Sequence, residues 1–178
     1  MRTDEAADFT AFVRARSGAL FRTAILLTGE RPPAEDLVQA TLERVCRHWH
    51  KVSRADSPEA YARRILVNLA NDRWRRRRGG VEIPLDIRDH DNEPSGGTDA
   101  YQRVAVRDEL LCRLRALPPN MRTVLVLRYF DDLSDPEIAA AMGTTESTVR
   151  SQAARGLAKL RALSSEASAV NSPQGGAQ

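Results

Sequence analysis

The first 78 residues contain three stretches in which apolar residues recur at the spacing of an amphipathic helix. The first stretch ends at Gly29, which tolerates the left-handed conformation that closes many helices. The second begins near Pro33 and the third at Ser57 and Pro58, which are favoured residues at helix starts. The inward-facing positions are Phe9, Phe12, Val13, Leu20, Ala24 and Leu27, then Val38, Thr41, Leu42, Val45 and Trp49, then Tyr61, Ile65, Leu66 and Leu69. We therefore predict three helices in one small domain over residues 8–78.

The second half of the chain shows the same periodicity after an interruption. Over residues 79–100, glycine, proline, asparagine and acidic residues replace the pattern, which predicts a flexible acidic linker. Helical spacing returns over residues 101–114 and 121–129, on either side of Pro118 and Pro119. We predict a second helical domain over residues 101–163 and a disordered tail over 164–178. Because no large apolar surface is left to join the domains, we expect their mutual arrangement to be loose.

Two further helices close the second domain, and their spacing is typical of a helix-turn-helix. Ser134 with Glu137 predicts a capping box at the start of the first helix, Gly143 its end, and Thr145 the start of the second. The second helix of such a motif enters the major groove of DNA. Its exposed positions are Ser147, Thr148, Arg150, Ser151, Ala154 and Arg155. These are candidates for DNA contact, with a plain helical hairpin carrying a solvated basic face as the alternative.

The composition agrees with an all-α fold. The chain has 178 residues, of which 42% are hydrophobic and only 5% aromatic, so aliphatic side chains on packed helices must form the core. This length excludes a large enzyme scaffold. The two cysteines, Cys46 and Cys112, cannot make a disulfide framework, and no apolar run is long enough for a signal peptide or a membrane span. We therefore expect a cytoplasmic location.

Charge is separated along the chain, which changes the interpretation of the third helix. Its end carries Arg73 and Arg75 to Arg78, whereas acidic residues dominate the linker that follows. Asn68 and Asp72 precede this arginine run within two turns, a mixture suited to phosphate contact and to hydrogen bonding with an exposed base. Trp74 either stacks on a base or belongs to the core.

Catalysis and metal binding find no support in the sequence. Cys46, His48 and His50 look like metal ligands, but helical spacing places His48 nearly opposite the other two. The chain also lacks a P-loop, a GxGxxG motif and a paired-carboxylate motif. We therefore expect no catalytic residue, no metal ion and no cofactor.

Four co-linear segments resemble the extracytoplasmic-function (ECF) sigma factors, a two-domain class of the sigma-70 family, and among them the SigE-like group. These segments are AEDLVQATLERV at 34–45, PEAYARRILVNLANDRWRRRR at 58–78, LPPNMRTVLVLRYFDDLS at 117–134 and TVRSQAARGLAKLR at 148–161. The resemblance covers residues 8–163 in the family's order. It implies a promoter-specificity subunit of RNA polymerase with no catalytic activity of its own.

The resemblance also implies partners and residue roles. The first domain would be region 2, which holds the clamp helices of the polymerase β′ subunit and opens the −10 element. The second would be region 4, which binds the −35 element and the flap of the β subunit. Candidate polymerase contacts are Glu35, Asp36, Leu37, Gln39 and Glu43. Candidate −10 contacts are Asn68, Arg63, Arg64, Asp72, Arg73, Arg75 and Arg76, and the −35 candidates are the six residues of the last helix named above.

Two alternatives stay open at this point. A stand-alone helix-turn-helix repressor or activator would share the second domain but would use the first to sense a ligand or to dimerise. The linker either occupies a positively charged polymerase channel or is a solvated spacer. The sequence does not settle the promoter, or whether an anti-sigma factor binds the chain.

Overall fold

The computed structural model describes the backbone of residues 3–78 and 108–170, and all its regular elements over these ranges are helices. They are α1 (Thr3–Thr28), α2 (Arg31–Arg47), α3 (Trp49–Val52), α4 (Pro58–Arg78), α5 (residues 108–115), α6 (Pro119–Tyr129), α7 (Asp135–Met142) and α8 (Glu146–Val170). The all-α prediction is confirmed. The predicted linker over 79–100 and the start of the second domain over 101–107 lie outside the described residues.

Local residue chemistry sets the helix ends in the first half as predicted. Gly29 closes α1 with φ 82°, a left-handed conformation that glycine adopts without a steric penalty. The first turn of α2 contains proline, whose missing N–H would be unpaired there in any case. At the start of α4, the Ser57 hydroxyl accepts the backbone N–H of Ala60 at 3.1 Å. Sequence periodicity therefore located the three long helices of this half.

The chain breaks where a single helix through Trp49 was expected. α2 ends at Arg47, and His48 has φ −115° and ψ 16°, so Trp49 begins the short helix α3. This break turns the indole onto α1, where its ring lies 5.3 Å from that of Phe9 and 5.1 Å from that of Phe12. Trp49 is buried and belongs to the core, as its sequence position indicated.

The helix-turn-helix has the predicted caps. Ser134 and Glu137 form a capping box at the start of α7, and Gly143 ends α7 with φ 63°. The Thr145 hydroxyl accepts the backbone N–H of Thr148 at 3.2 Å and so caps α8. The C-terminal end of α8 differs from the prediction. The helix continues to Val170, although a disordered tail was expected from position 164. The serines, alanines and glutamate of 164–170 are compatible with a helix, so polarity alone was a poor guide. Residues 171–178 lie outside the described part.

The two halves of the described chain contact each other, which differs from the expected loose arrangement. Helices α1 and α4 of the first half contact α6 of the second, and α4 also contacts α7. Buried apolar residues of both halves belong to one cluster. Many of the crossing contacts are polar, such as the hydrogen bond from the buried Arg122 to the carbonyl oxygen of Leu27 at 2.6 Å. Hydrophobic periodicity does not reveal contacts of this kind.

Candidate nucleic-acid interface

One face of α8 carries all six residues predicted to contact the −35 element, and all six are exposed. At about 100° of rotation per residue, these positions span an arc of about 160° around the helix axis. The opposite arc holds the fully buried Val149 and the nearly buried Ala153. The helix therefore separates a face fixed in the core from a face free to enter a groove. The set consists of Ser147, Thr148, Arg150, Ser151, Ala154 and Arg155.

Packing against α6 and α7 holds this helix in position. Ile138 of α7 and Val149 of α8 are both fully buried. A Cβ atom at Gly156 would lie 3.0 Å from Cδ1 of Leu125, so α8 approaches α6 more closely than a larger residue would allow. The exposed face is thus presented by a rigid support, as a DNA-reading surface requires.

The charges at the start of α8 are partly engaged within the protein. Arg150 forms ion pairs with Glu146 at 3.4 Å and with Asp135 at 3.8 Å. Asp135, at the start of α7, also pairs with Arg128 of α6. Arg155 is exposed one and a half turns further along the helix. The two arginines predicted to contact bases therefore have different surroundings. Arg150 would have to break its ion pairs with Glu146 and Asp135 before it could contact DNA.

Helix α4 divides the predicted −10 residues between two surfaces. Arg64, Asn68 and Arg75 are exposed and lie within about 40° of each other around the axis. Asp72 lies beside them and forms an ion pair with Arg75, and Arg76 is exposed further round. This row combines an amide with cations, which suits contact with a phosphate backbone and an exposed base.

Arg63 and Arg73 lie on other faces of α4. Arg63 is only 18% exposed and pairs with Glu59 at 3.0 Å and with Asp131 of the second half at 3.5 Å. Arg73 donates to the carbonyl oxygen of Pro33 at 3.2 Å. The sequence offered both as −10 contacts, but in the structure both side chains contact groups of the protein. Their role in DNA contact stays a prediction that requires these partners to be released.

Most of the predicted polymerase contacts form one exposed surface on α2. Glu35, Gln39 and Glu43 follow each other at intervals of four residues, and the Gln39 amide donates to Glu43 at 3.1 Å. Asp36 is exposed as well. Leu37 is fully buried, so its assignment as a direct contact is wrong. It lies on the inward face with Thr41 and Val45, where its role is to hold α2 in the core.

An apolar groove of about 900 Å³ between α1 and α2 was not foreseen from the sequence. Its walls include Phe9, Val13, Phe21, Val38 and Leu42. Glu35, Gln39 and Glu43 also line it, so the predicted polymerase surface adjoins an apolar face. The apolar periodicity contained Phe9, Val13, Val38 and Leu42 but not Phe21, and it assigned those four residues to the core, since periodicity does not distinguish a filled interface from an open groove.

Burial shifts the ionisation of two residues where the halves meet. The pKa of Arg122 is lowered to about 10 by desolvation, with the charge of Arg115 as the second cause. Burial raises the pKa of Asp131 above its ordinary value, although the hydrogen bond from Thr23 and the charge of Arg63 oppose this change. In the helix-turn-helix, hydrogen bonds from Ser134 lower the pKa of the exposed Glu137.

Over the ranges 3–78 and 108–170, no group of three or more histidine, cysteine, aspartate or glutamate residues could hold a metal ion. Within the same part of the chain, no helix is long and apolar enough to cross a membrane.

Comparison with known families matches both halves of the chain. Residues 12–79 match the sigma-70 region 2 family, and residues 107–160 match sigma-70 region 4. The RNA polymerase sigma-E factor of Streptomyces coelicolor is 35% identical over 88% of this chain and 86% of its own length. The ECF RNA polymerase sigma factor SigE of Mycolicibacterium smegmatis is 34% identical over 84% of this chain and 58% of its own length.

Two solved structures share the fold. The sigma factor RpoE of Bartonella quintana, in complex with the anti-sigma factor NepR, superposes with a TM-score of 0.67 at 24% identity, covering 88% of this chain and 96% of that one. CnrH, in complex with the cytosolic domain of CnrY, gives 0.62 at 25% identity, covering 89% and 88%.

The two family matches, one to each helical domain, place the chain in the sigma class of transcription initiation factors. The chain belongs to the sigma-70 family, and within it to the ECF sigma factors. The resemblance seen in the sequence is therefore confirmed.

Proposed function

We propose that this chain binds core RNA polymerase and directs it to a particular set of promoters as an alternative sigma factor. The observation that carries the proposal is the exposed face of α8, where six candidate DNA contacts lie opposite a buried face on a rigid support. A second set of candidates, Arg64, Asn68 and Arg75, lies on α4 of the other domain. Two separate nucleic-acid surfaces suit a protein that reads two promoter elements.

In this proposal each domain has its own task. The face of α8 reads the −35 element through the major groove, with Arg155 and Arg150 as its cationic residues. The row on α4 holds the opened −10 strand, its arginines contacting phosphates and Asn68 a base. The row of Glu35, Gln39 and Glu43, beside the apolar groove, binds the clamp helices of the polymerase. The chain contributes binding and positioning, while the polymerase performs the chemistry.

Further partners and the location are proposed on the same basis. RpoE of Bartonella quintana, which shares the fold, is found in complex with an anti-sigma factor. We propose that an anti-sigma factor also binds this chain. Since polymerase and promoter DNA are its main partners, its place of action would be the cytoplasm. A stand-alone repressor or activator is not favoured, because residues 12–79 match sigma-70 region 2. A repressor or activator would instead use this domain to sense a ligand or to dimerise.

Run-off transcription from random-sequence templates tests this proposal and identifies the promoter in the same experiment. Purified bacterial core polymerase is incubated with the template library, with and without the chain, and the transcripts are sequenced. We expect start sites that depend on the chain and share sequence about 10 and 35 base pairs upstream. The matched control is a chain with Glu35, Gln39 and Glu43 all changed to alanine, which should fold but no longer recruit polymerase. Start sites that do not change when the chain is added would refute the proposal.

A further inference from the structure

The loop between α6 and α7 reaches across to the first domain. Its residue Asp131 accepts the single hydroxyl proton of Thr23 on α1, whose oxygen lies 2.8 Å and 3.0 Å from the two carboxylate oxygens. The same carboxylate pairs with Nε of Arg63 on α4 at 3.5 Å. Thr23 is 4% exposed, and the Arg63 and Asp131 side chains are 18% and 13% exposed. A residue of region 4 is thus enclosed by two helices of region 2.

A second set of contacts lies at the α1–α2 turn. Arg122 donates to the carbonyl oxygen of Leu27 at 2.6 Å, and Arg115 pairs with Glu30 at 2.6 Å. The Arg115 side chain also lies directly over Gly29, where an added Cβ would come within 2.3 Å of its Cδ. The two sets lie at different places along α1, so together they fix the relative orientation of the domains rather than joining them at a single point.

This closed arrangement is incompatible with reading two promoter elements at once. Elements centred at −10 and −35 are about 25 base pairs apart, which is about 85 Å at 3.4 Å per base pair. A compact chain of this length has a radius of gyration of only about 16 Å. The 29 residues between α4 and α5 could reach about 95 Å if fully extended, so the covalent connection permits separation. The contacts at Asp131 must therefore break when the promoter is bound.

We infer that Asp131 is an autoinhibitory latch: by holding Thr23 and Arg63 it keeps the free chain closed and competes with −10 DNA for Arg63. This inference rests on the proposed function, since Arg63 belongs to the predicted −10 residues. In the closed chain, the Asp131 carboxylate pairs with the Arg63 guanidinium, which would otherwise be available to a DNA phosphate. Free protein would therefore bind single-stranded DNA less tightly than its arginine content suggests, and a partner that separates the domains would release Arg63.

The test compares two neighbouring charge reversals in the full chain. Asp131→Lys places a cation against Arg63 and Arg22, whereas Asp132→Lys makes the same change in charge at an exposed position of the same loop. Asp132 has φ 54°, so its substitution also adds backbone strain, and a control that stays closed despite this strain is the more stringent one. The native cysteines lie one in each domain, Cys46 on α2 and Cys112 on α5, and both are free. Spin labels on them report the separation of the domains by double electron–electron resonance, and circular dichroism confirms folding.

We expect the short-distance population in the wild-type chain to be kept in Asp132→Lys and to be replaced in Asp131→Lys by longer, broader distances. The open fraction should rise about tenfold or more, because one partner of a buried pair is replaced by a like charge. Binding of the single-stranded probe dT20 should also strengthen more in Asp131→Lys than in Asp132→Lys, about five- to tenfold, since both variants gain the same long-range attraction.

Equal distance distributions in the two variants, or equal gains in dT20 affinity, would overturn the latch. Neither measurement uses polymerase, so the result is separate from the test of the proposed function. A chain that opens on Asp131→Lys but gives no run-off transcription keeps the latch and refutes the sigma-factor role. A chain that directs transcription but gives the same distances in all forms refutes the latch alone.

Discussion

Arg155 and Arg150 have unequal surroundings on the exposed face of α8, and this difference predicts unequal effects on −35 binding. Arg150 already pairs with Glu146 and Asp135, so its contact with DNA is offset by the loss of these ion pairs. Arg155→Ala should cost about 1–3 kcal/mol of −35 binding by the holoenzyme, and Arg150→Ala less. Fluorescence anisotropy on matched and scrambled −35 duplexes measures both. Arg161→Ala, an exposed cation about 16 Å from Arg150 along α8, is the control. Equal losses on both duplexes would reduce Arg155 to a phosphate contact.

Asn68 is the amide in the row of exposed residues on α4, and its predicted role is in opening the −10 element. Asn68→Ala should leave closed-complex formation nearly intact and reduce promoter opening, because a base contact is available only after the strands separate. Permanganate footprinting of thymines in the melted region measures the opening. Asn120→Ala, which changes another exposed helical asparagine in the second domain, provides the comparison. An unchanged footprint in Asn68→Ala would remove this residue from the −10 site.

Asp131 predicts a pH dependence whose sign follows from its raised pKa. Burial in the folded chain raises this pKa above the ordinary value of 3.8, with Glu59 adding to the increase and Thr23, Arg63 and Arg22 opposing it. The folded state therefore binds this proton more tightly than the unfolded state does. The stability that the bound proton adds is lost as pH rises through the raised pKa. The free energy of unfolding of the wild type, relative to Asp131→Asn, should fall as pH rises from about 4 toward neutrality. Urea unfolding across this range measures it, and a rise instead would contradict the assigned burial.

At the scale of elements, two glycines that end helices provide a matched pair. Gly29 and Gly143 both have positive φ, at 82° and 63°. A Cβ at Gly143 would meet nothing within 4 Å, whereas at Gly29 it would overlap the Arg115 side chain at 2.3 Å and 2.6 Å. Gly143→Ala should therefore cost only the backbone strain, about 1–2 kcal/mol, and Gly29→Ala should cost more and weaken the pairing of Arg115 with Glu30. Thermal unfolding compares the two, and equal losses would show that Arg115 does not press on the turn.

The helices themselves were predictable because their signals are local. Caps such as Ser134 with Glu137, and glycines at positive φ, act within a few residues, so the sequence alone placed the ends of α1 and α7. The break before Trp49 was not predicted, since it depends on packing of the indole against Phe9 and Phe12 of another helix. The same limit applies to Leu37, which motif similarity assigned to a partner although helix rotation buries it.

The exposed candidates on α8 were predictable for a related reason. A helix-turn-helix fixes which face of its second helix is buried, so the six exposed positions follow from the apolar stripe of Val149 and Ala153. The arginines of α4 were harder to assign, because cations occur at many positions around this helix and charge alone does not show which of them find partners inside the protein. Only the structure separates the outward Arg64 and Arg75 from the inward Arg63 and Arg73.

At the scale of the whole molecule, the closed contact between the two halves is the main feature that the sequence did not predict. Its residues are polar and far apart in the chain, so neither periodicity nor local motif connects Thr23 with Asp131 or Leu27 with Arg122. A protein that reads two distant DNA elements needs two surfaces and a way to separate them. In the proposed function, binding to core polymerase would separate the two domains.

The measurement that tests this account most directly is promoter binding by the chain with and without core polymerase. Gel shifts use a promoter selected by the run-off experiment and a scrambled duplex, at several salt concentrations. We expect weak and strongly salt-dependent binding by the chain alone, because one small domain engages at a time and phosphate contacts dominate. Core polymerase should convert this into specific binding. Nanomolar, sequence-specific binding by the purified chain without polymerase would contradict the account.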